Sequence, residues 1–196
     1  MSRFTTYLRT RKLGWWITTV LLAAILVLIA VPSLRKAMIV WMTEQSLNDA
    51  EVVNKTGYDQ LSDQDYQFYF RDLKGNTKRL DEYRGEVIFI NFWATWCTPC
   101  IAEMGSLTRL YKKHKNNVKF FFISFEEDNV IKKFRDSEEY KIPMYKGLGG
   151  SELFKIQSWP TTMIISKSGE LVVFDRGAKQ WDSDNIHKLL KRLVKE

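Results

Sequence analysis

Hydrophobic and polar positions follow several rhythms along this chain, and each predicts a different element. From Leu13 to Val31 there are nineteen residues without a charge. At ~1.5 Å per residue such a helix is about 28 Å long, close to the thickness of a bilayer core. The pattern predicts a transmembrane helix over 13–31. Pro32-Ser33 then breaks it. Leu34, Met38, Trp41 and Met42 recur at i, i+4, i+7 and i+8, the stripe of a short helix. Residues 48–65 are polar and predict a connector.

Beyond residue 60 the rhythm changes. Gln67–Leu73 and Thr77–Leu80 read as strands joined by a turn at Lys74-Gly75-Asn76. Val87–Trp93 is apolar with no alternation until Asn91, the pattern of a strand buried on both faces. Ile101–Lys115 has helical spacing, with Ile101, Met104, Leu107, Leu110 and Tyr111 facing inward and basic residues near its end. Val118–Phe125 is a second buried strand, so strand, helix and strand predict a parallel, right-handed βαβ unit. Val130–Arg135 predicts a helix, Ile142–Tyr145 a short edge strand, 147–150 a loop and Ser151–Ile156 a short helix. Thr161–Ile165 and Leu171–Phe174 predict a hairpin across Ser168-Gly169. Asp182 or Ser183 caps a last helix reaching about Val194.

Charge alters the picture at one end. The formal net charge is +7, which invites a nucleic-acid reading. Yet residues 1–36 hold six basic residues and no acid, which leaves 24 basic against 23 acidic residues in the remainder. The basic excess therefore flanks the apolar span, and no nucleic-acid partner is expected. Four of those basic residues precede the span and two follow it. This distribution predicts a cytoplasmic amino terminus and a domain on the other side, periplasmic or otherwise extracytoplasmic. A cleaved signal peptide would have a shorter apolar core and a small-x-small site, which does not follow Ala30. The organisation expected is a cytoplasmic basic tail at 1–12, a transmembrane helix at 13–31 embedded in the lipid bilayer, a juxtamembrane connector at 32–60 and one folded domain at 61–196.

The two cysteines, Cys97 and Cys100, stand where the central strand meets the following helix. At a helix start, free N–H groups and the dipole stabilise a thiolate and lower its pKa. Cys97 is the expected nucleophile, partly exposed, and Cys100, about one turn on, can close a disulfide with it. Zinc needs two further ligands, and His114 and His187 lack the usual spacing. Haem attachment wants His after the second cysteine, where Ile101 stands. A purely structural disulfide remains open, although so short a loop recovers little chain entropy. Redox chemistry is the leading reading, with no cofactor beyond the Cys97–Cys100 pair and no metal.

Asn-Phe-Trp-Ala-Thr-Trp-Cys-Thr-Pro-Cys at 91–100, Glu103, Trp159-Pro160-Thr161-Thr162 and the Ser168-Gly169 turn resemble the thioredoxin-like superfamily. Within it they resemble the membrane-anchored TlpA/ResA-like thiol–disulfide oxidoreductases, over residues 61–196. The resemblance implies an α/β thioredoxin fold, a central mixed sheet flanked by helices, with an N-terminal β-hairpin extension and one transmembrane helix. It implies that Thr98 and Pro99 help tune the potential, that Trp96 walls the substrate site, and that Pro160 is cis and faces the cysteines. Trp159 before it is bulky and narrows the range of substrates. Asn91 stands where thioredoxins carry a buried aspartate, so that proton route is absent; a buried amide bonded to backbone is the simpler expectation. Glu103 is the substitute acid, unless it is merely an exposed residue near a helix start. Its negative charge would raise the Cys97 pKa and make the protein a better reductant.

The resemblance thus points to a reductase of disulfides in secreted or membrane proteins, with apocytochrome c before haem attachment as an example. Its electron donor would be a membrane thiol protein. A disulfide-forming oxidase, a thiol peroxidase and a non-catalytic binding module on the same fold are the rival readings.

Overall fold

The computed structural model describes residues 2–50, 60–138 and 140–196, with side chains from Trp15 onward. It forms two compact units, residues 1–42 and 43–196. In the first, helix α1 (Ser2–Ala30) ends before Val31 and α2 (Pro32–Gln45) begins at the expected break. Proline fits a first helical turn because its missing N–H would have no partner there. Among the described residues no single helix is long and apolar enough to cross a membrane; Trp15–Ala30 and Pro32–Gln45 meet that measure only as a pair, bent by 96°. The stretch 51–59 of the expected connector lies outside the described residues.

The second unit is built on one seven-stranded sheet in the order β2-β1-β5-β4-β3-β6-β7. Its strands are β1 (Tyr69–Asp72), β2 (Thr77–Arg79), β3 (Ile88–Phe92), β4 (Lys119–Ser124), β5 (Met144–Gly149), β6 (Thr161–Ile165) and β7 (Leu171–Arg176). Helices α3 (Thr98–His114), α4 (Asp128–Ser137) and α5 (Asp184–Lys195) complete it. All five residues of β3 are buried. It runs parallel to β4 and antiparallel to β6, with Phe92 opposite Ile123 on one side and Thr161 on the other. This places the expected βαβ unit at the centre of a mixed sheet. The β6–β7 hairpin and the β1–β2 hairpin also form where the turn residues predict them.

Three expectations are corrected. Met144 begins an internal strand, not an edge one, because β1 pairs with β5 on the side away from β4. Residues 147–149 belong to that strand rather than to a loop. Glycine weakens a strand but does not forbid it, and here a side chain is excluded: a Cβ on Gly147 would lie 2.5 Å from the Phe125 ring. Finally, 151–156 makes turns rather than a helix. Ser151 Oγ donates to Asp65 Oδ1 and accepts from the Leu153 N–H, so its polar groups are satisfied locally.

One core cluster joins the hairpin to the central strands through Phe68, Phe70, Phe92, Phe121, Ile123 and Phe154. The rings of Phe68 and Phe154 are 4.6 Å apart, so this aromatic layer carries the loop after β5 on the sheet. Among the helices, α3 buries Ile101, Met104, Leu107 and Leu110 as its spacing predicts, while Lys112, Lys113 and His114 complement the dipole in its last turn.

Candidate active site

Cys97 is the N-cap of α3, and Pro99 lies in its first turn. The Cys100 N–H donates to Cys97 Sγ at 3.2 Å, which satisfies one of the free donors of that helix end. The two cysteines form a disulfide with their Cα atoms 5.3 Å apart. Cys97 is 4 % exposed and Cys100 fully buried. The order of exposure is as expected, but Cys97 is covered rather than partly open, its sulfur being bonded to Cys100 Sγ and accepting from the Cys100 N–H. Thr98 is half-buried and Pro99 exposed, so the two residues between the cysteines form the solvent-facing lip of the loop.

The strand-to-helix loop is held from the side. Glu126, just past β4, accepts from the Thr95 N–H and Thr95 Oγ1, each at 2.7 Å, and from Ser124 Oγ. A carboxylate accepting from a backbone N–H and a hydroxyl of one residue fixes that residue, and with it the approach to Cys97. Sequence patterning carried no sign of Glu126, which reads simply as one acid in a charged run.

Trp96 is 66 % exposed and meets Trp159 edge to face at 6.1 Å between ring centroids. Trp159 meets Phe125 in the same way at 6.2 Å. Pro160 is buried and its peptide bond with Trp159 is cis, as the resemblance implied. Beyond Trp159 a cavity of about 600 Å³ opens between Phe125, Phe154, Ile156 and the glycines 149 and 150. A continuous aromatic surface thus leads from the residue before the nucleophile to a concave site.

Beneath the dithiol lies a buried polar network. Glu103 is fully buried on α3, one turn beyond Cys100, which removes the reading of it as an exposed helix acid. Its Oε1 accepts from Asn91 Nδ2 at 2.8 Å, and its Oε2 accepts from the Lys179 N–H and from Trp181 Nε1, each at 3.0 Å. Asn91 Nδ2 also donates to Thr162 Oγ1, in the strand that follows Pro160. Asn91 therefore bonds to side chains, not to backbone as expected: β3 spends its backbone groups on β4 and β6, which leaves the amide to the helix and to Thr162. Burial pushes the Glu103 carboxyl up to about 8, against the lowering effect of the three N–H donors. The acid is therefore largely neutral at pH 7, and the expected repulsion of a thiolate operates only above about pH 8. Lys179 and Trp181 had no sequence signal, because their roles depend on where the segment after β7 returns to α3. Among the described residues no group of three or more His, Cys, Asp or Glu side chains is gathered to hold a metal.

A mixed α/β sheet, a disulfide at the start of the helix after its central strand, and a cis-proline beginning the neighbouring strand define a thioredoxin-like thiol–disulfide oxidoreductase. Comparison with known proteins agrees. The chain belongs to the AhpC/TSA family, whose model matches residues 59–174, and it is similar to the ResA thiol–disulfide oxidoreductases. The ResA of Bacillus thuringiensis subsp. konkukian is 28% identical over 131 residues, covering 65% of this chain and 75% of the relative. The ResA of Halalkalibacterium halodurans is 32% identical over 119 residues, covering 59% and 68%. Among solved structures, a Bacteroides vulgatus protein assigned as a thiol–disulfide oxidoreductase is 28% identical, with a TM-score of 0.56 over 64% of this chain and 91% of its own. The protein is an enzyme of this class, and its substrates are cysteine-containing proteins.

Proposed function

We propose that this oxidoreductase works in the reducing direction on disulfides of extracytoplasmic proteins, anchored to the membrane through residues 13–31. The observation that carries the dithiol chemistry is the pairing of the buried acid Glu103 with the cysteines on a single helix, and the reducing direction rests on the resemblance to the TlpA/ResA-like proteins. In the reduced enzyme, the Cys97 thiolate attacks one sulfur of the substrate disulfide, and the other substrate sulfur leaves as a thiolate. Cys100 then loses its proton and attacks Cys97 Sγ, which breaks the mixed disulfide. Two electrons pass to the substrate, whose two sulfurs take up protons, and the Cys97–Cys100 disulfide remains. With its pKa raised to about 8 the acid is mostly protonated at neutral pH, and its ionised fraction serves as proton acceptor for the second thiol.

The substrate lies extended along Pro160 and over Trp96 and Trp159, with a bulky side chain near the cavity behind Trp159. A cysteine pair in a secreted protein, such as apocytochrome c before haem attachment, has the required form, and a membrane thiol protein returns electrons to Cys97–Cys100. The test is to purify partners trapped on Cys97 in the Cys100→Ala chain, where the resolving step is blocked. Recovery of exported proteins joined through a cysteine supports the proposal, and recovery of none in an intact chain sinks it. Direction is tested by potential. A reductant should lie near the ~−270 mV of thioredoxin, and a value near the ~−120 mV of DsbA would identify an oxidase.

A further inference from the structure

One short segment, 177–181, touches Pro160, Glu103 and the next turn of α3, and its outer side is held by residues 48–50. The Gly177 N–H donates to Pro160 O at 2.8 Å. The Lys179 N–H and Trp181 Nε1 donate to Glu103 Oε2, and the Trp181 N–H donates to Ser106 Oγ on the next turn of α3. Between them, Gln180 turns its backbone the other way. Its N–H donates to Asn48 O at 2.8 Å, and its carbonyl accepts from the Ala50 N–H at 3.1 Å, a parallel bridge centred on Asp49. Ala50 is fully buried. Four residues before Asn48, Glu44 lies close to α3: a Cβ on Gly105 would come within 3.2 Å of Glu44 Oε1.

Neither 48–50 nor 177–181 lies within the 59–174 matched by the family model. We infer that Asn48–Ala50 are positioning residues of the redox site: by pairing with Gln180 they fix the segment whose N–H groups hold Glu103 and Pro160. The physical reason is local. Segment 177–181 belongs to no strand or helix, so its backbone groups need partners, and two of the pairs are supplied by the connector. Losing them frees Lys179 and Trp181 to move away from a buried acid whose proton affinity depends on them. The other groups around that acid are Asn91, Thr162 beyond it, and Asp175, which stands near enough to oppose its ionisation. Asp175 is itself 4.0 Å from Lys179 Nζ. The inference rests on the reading of Glu103 as part of the site, but its test does not depend on the direction of electron flow.

The test uses the full oxidised chain in detergent, with the Glu103 carboxyl titrated by carbon NMR and hydrogen exchange read at Ala50 and Gln180. In the parent chain both amides should be protected and should open together. Ala50→Pro removes the donor, and the Glu103 midpoint should rise, because a carboxyl that loses N–H donors holds its proton more tightly. Ala50→Gly keeps the donor and should leave the midpoint in place. A midpoint that stays or falls in a folded Ala50→Pro chain would overturn the inference. Should Ala50→Pro not fold, the parent alone decides: free exchange at Gln180 overturns it, and joint protection with Ala50 supports it.

Discussion

Asn91 donates to Glu103 at 2.8 Å with both side chains fully buried, one on the central strand and the other on the helix that carries the cysteines. An amide pinned to a carboxyl ties the acid to the sheet as well as to α3. It also leaves Asn91 Oδ1 buried with no hydrogen-bond partner, a group that a proton on Glu103 could satisfy after rotation of the amide.

The pH dependence of stability should bear this out. The Glu103 pKa is raised in the folded chain to about 8 from an ordinary 4.5. Its contribution is therefore complete below about pH 4.5 and is lost as pH rises through 8. The loss should be on the order of a few kcal/mol. Glu103→Gln should flatten this part of the curve, as read by thermal melting of the oxidised chain from pH 5 to pH 9. A variant curve parallel to the parent's would mean that Glu103 does not titrate in this window.

His114 works with the opposite sign. Burial and the neighbouring His187, Lys191 and Lys113 lower its pKa, against the opposing pull of Asp182. Its Nε2 lies 2.8 Å from His187 Nδ1, and His187 Nε2 lies 2.8 Å from Asp182 Oδ1. A base with a lowered folded pKa loses stability as pH falls below its ordinary value near 6.5. His114→Asn should therefore be less sensitive to acid than the parent between pH 7 and pH 5 in chemical denaturation. Equal sensitivity would remove His114 from the account.

After reduction, Cys97 should alkylate on the order of ten times faster than Cys100, because it caps α3 and is the less buried of the two. Peptide mass mapping during a limited reaction with iodoacetamide measures this. Equal rates would count against Cys97 as the nucleophile.

Gly147→Val should damage both the fold and the surface beside the site. A Cβ there would meet the Phe125 ring at 2.5 and 2.8 Å and Ile123 Cγ2 at 3.0 Å, so Phe125 must leave its place against Trp159. Overpacking of this kind costs about 1–3 kcal/mol. Urea denaturation should show the loss, and reduction of a protein disulfide should slow by more than reduction of a small aromatic disulfide. A variant as stable as the parent would show that the ring has somewhere to go.

The proposed orientation is tested by fusion. A reporter active only outside the cytoplasm, joined after Glu196, should be active, and residues 1–12 should resist protease added from outside. A stable but inactive fusion would reverse the argument from basic residues.

What could be read from the sequence follows physical range. The β3–α3–β4 unit, both hairpins and α5 rest on local periodicity and turn chemistry, and Cys97, Cys100 and Pro160 on short motifs. Burial of Glu103 was beyond such reading, since an acid in the first turns of a helix is favoured whether it faces water or core. Its partners Lys179 and Trp181 are more than seventy residues away and are brought in by the return of the chain after β7. The position of β5 failed for a related reason. Glycines at 147 and 149 have the local appearance of a loop, and pairing with β1 is what makes them strand.

That pairing also decides what the sheet offers to its neighbours. Without the hairpin, the six-residue β5 would stand at the margin with unpaired backbone groups. With it, the margin on that side is β2, three residues long and carrying Lys78 and Arg79. Short, cationic strands resist edge-to-edge joining between molecules. A catalyst whose substrates are cysteine-containing proteins is exposed to backbones that could pair with its sheet. On that margin its hairpin replaces a six-residue edge with a three-residue cationic one, away from the cysteine end of the sheet.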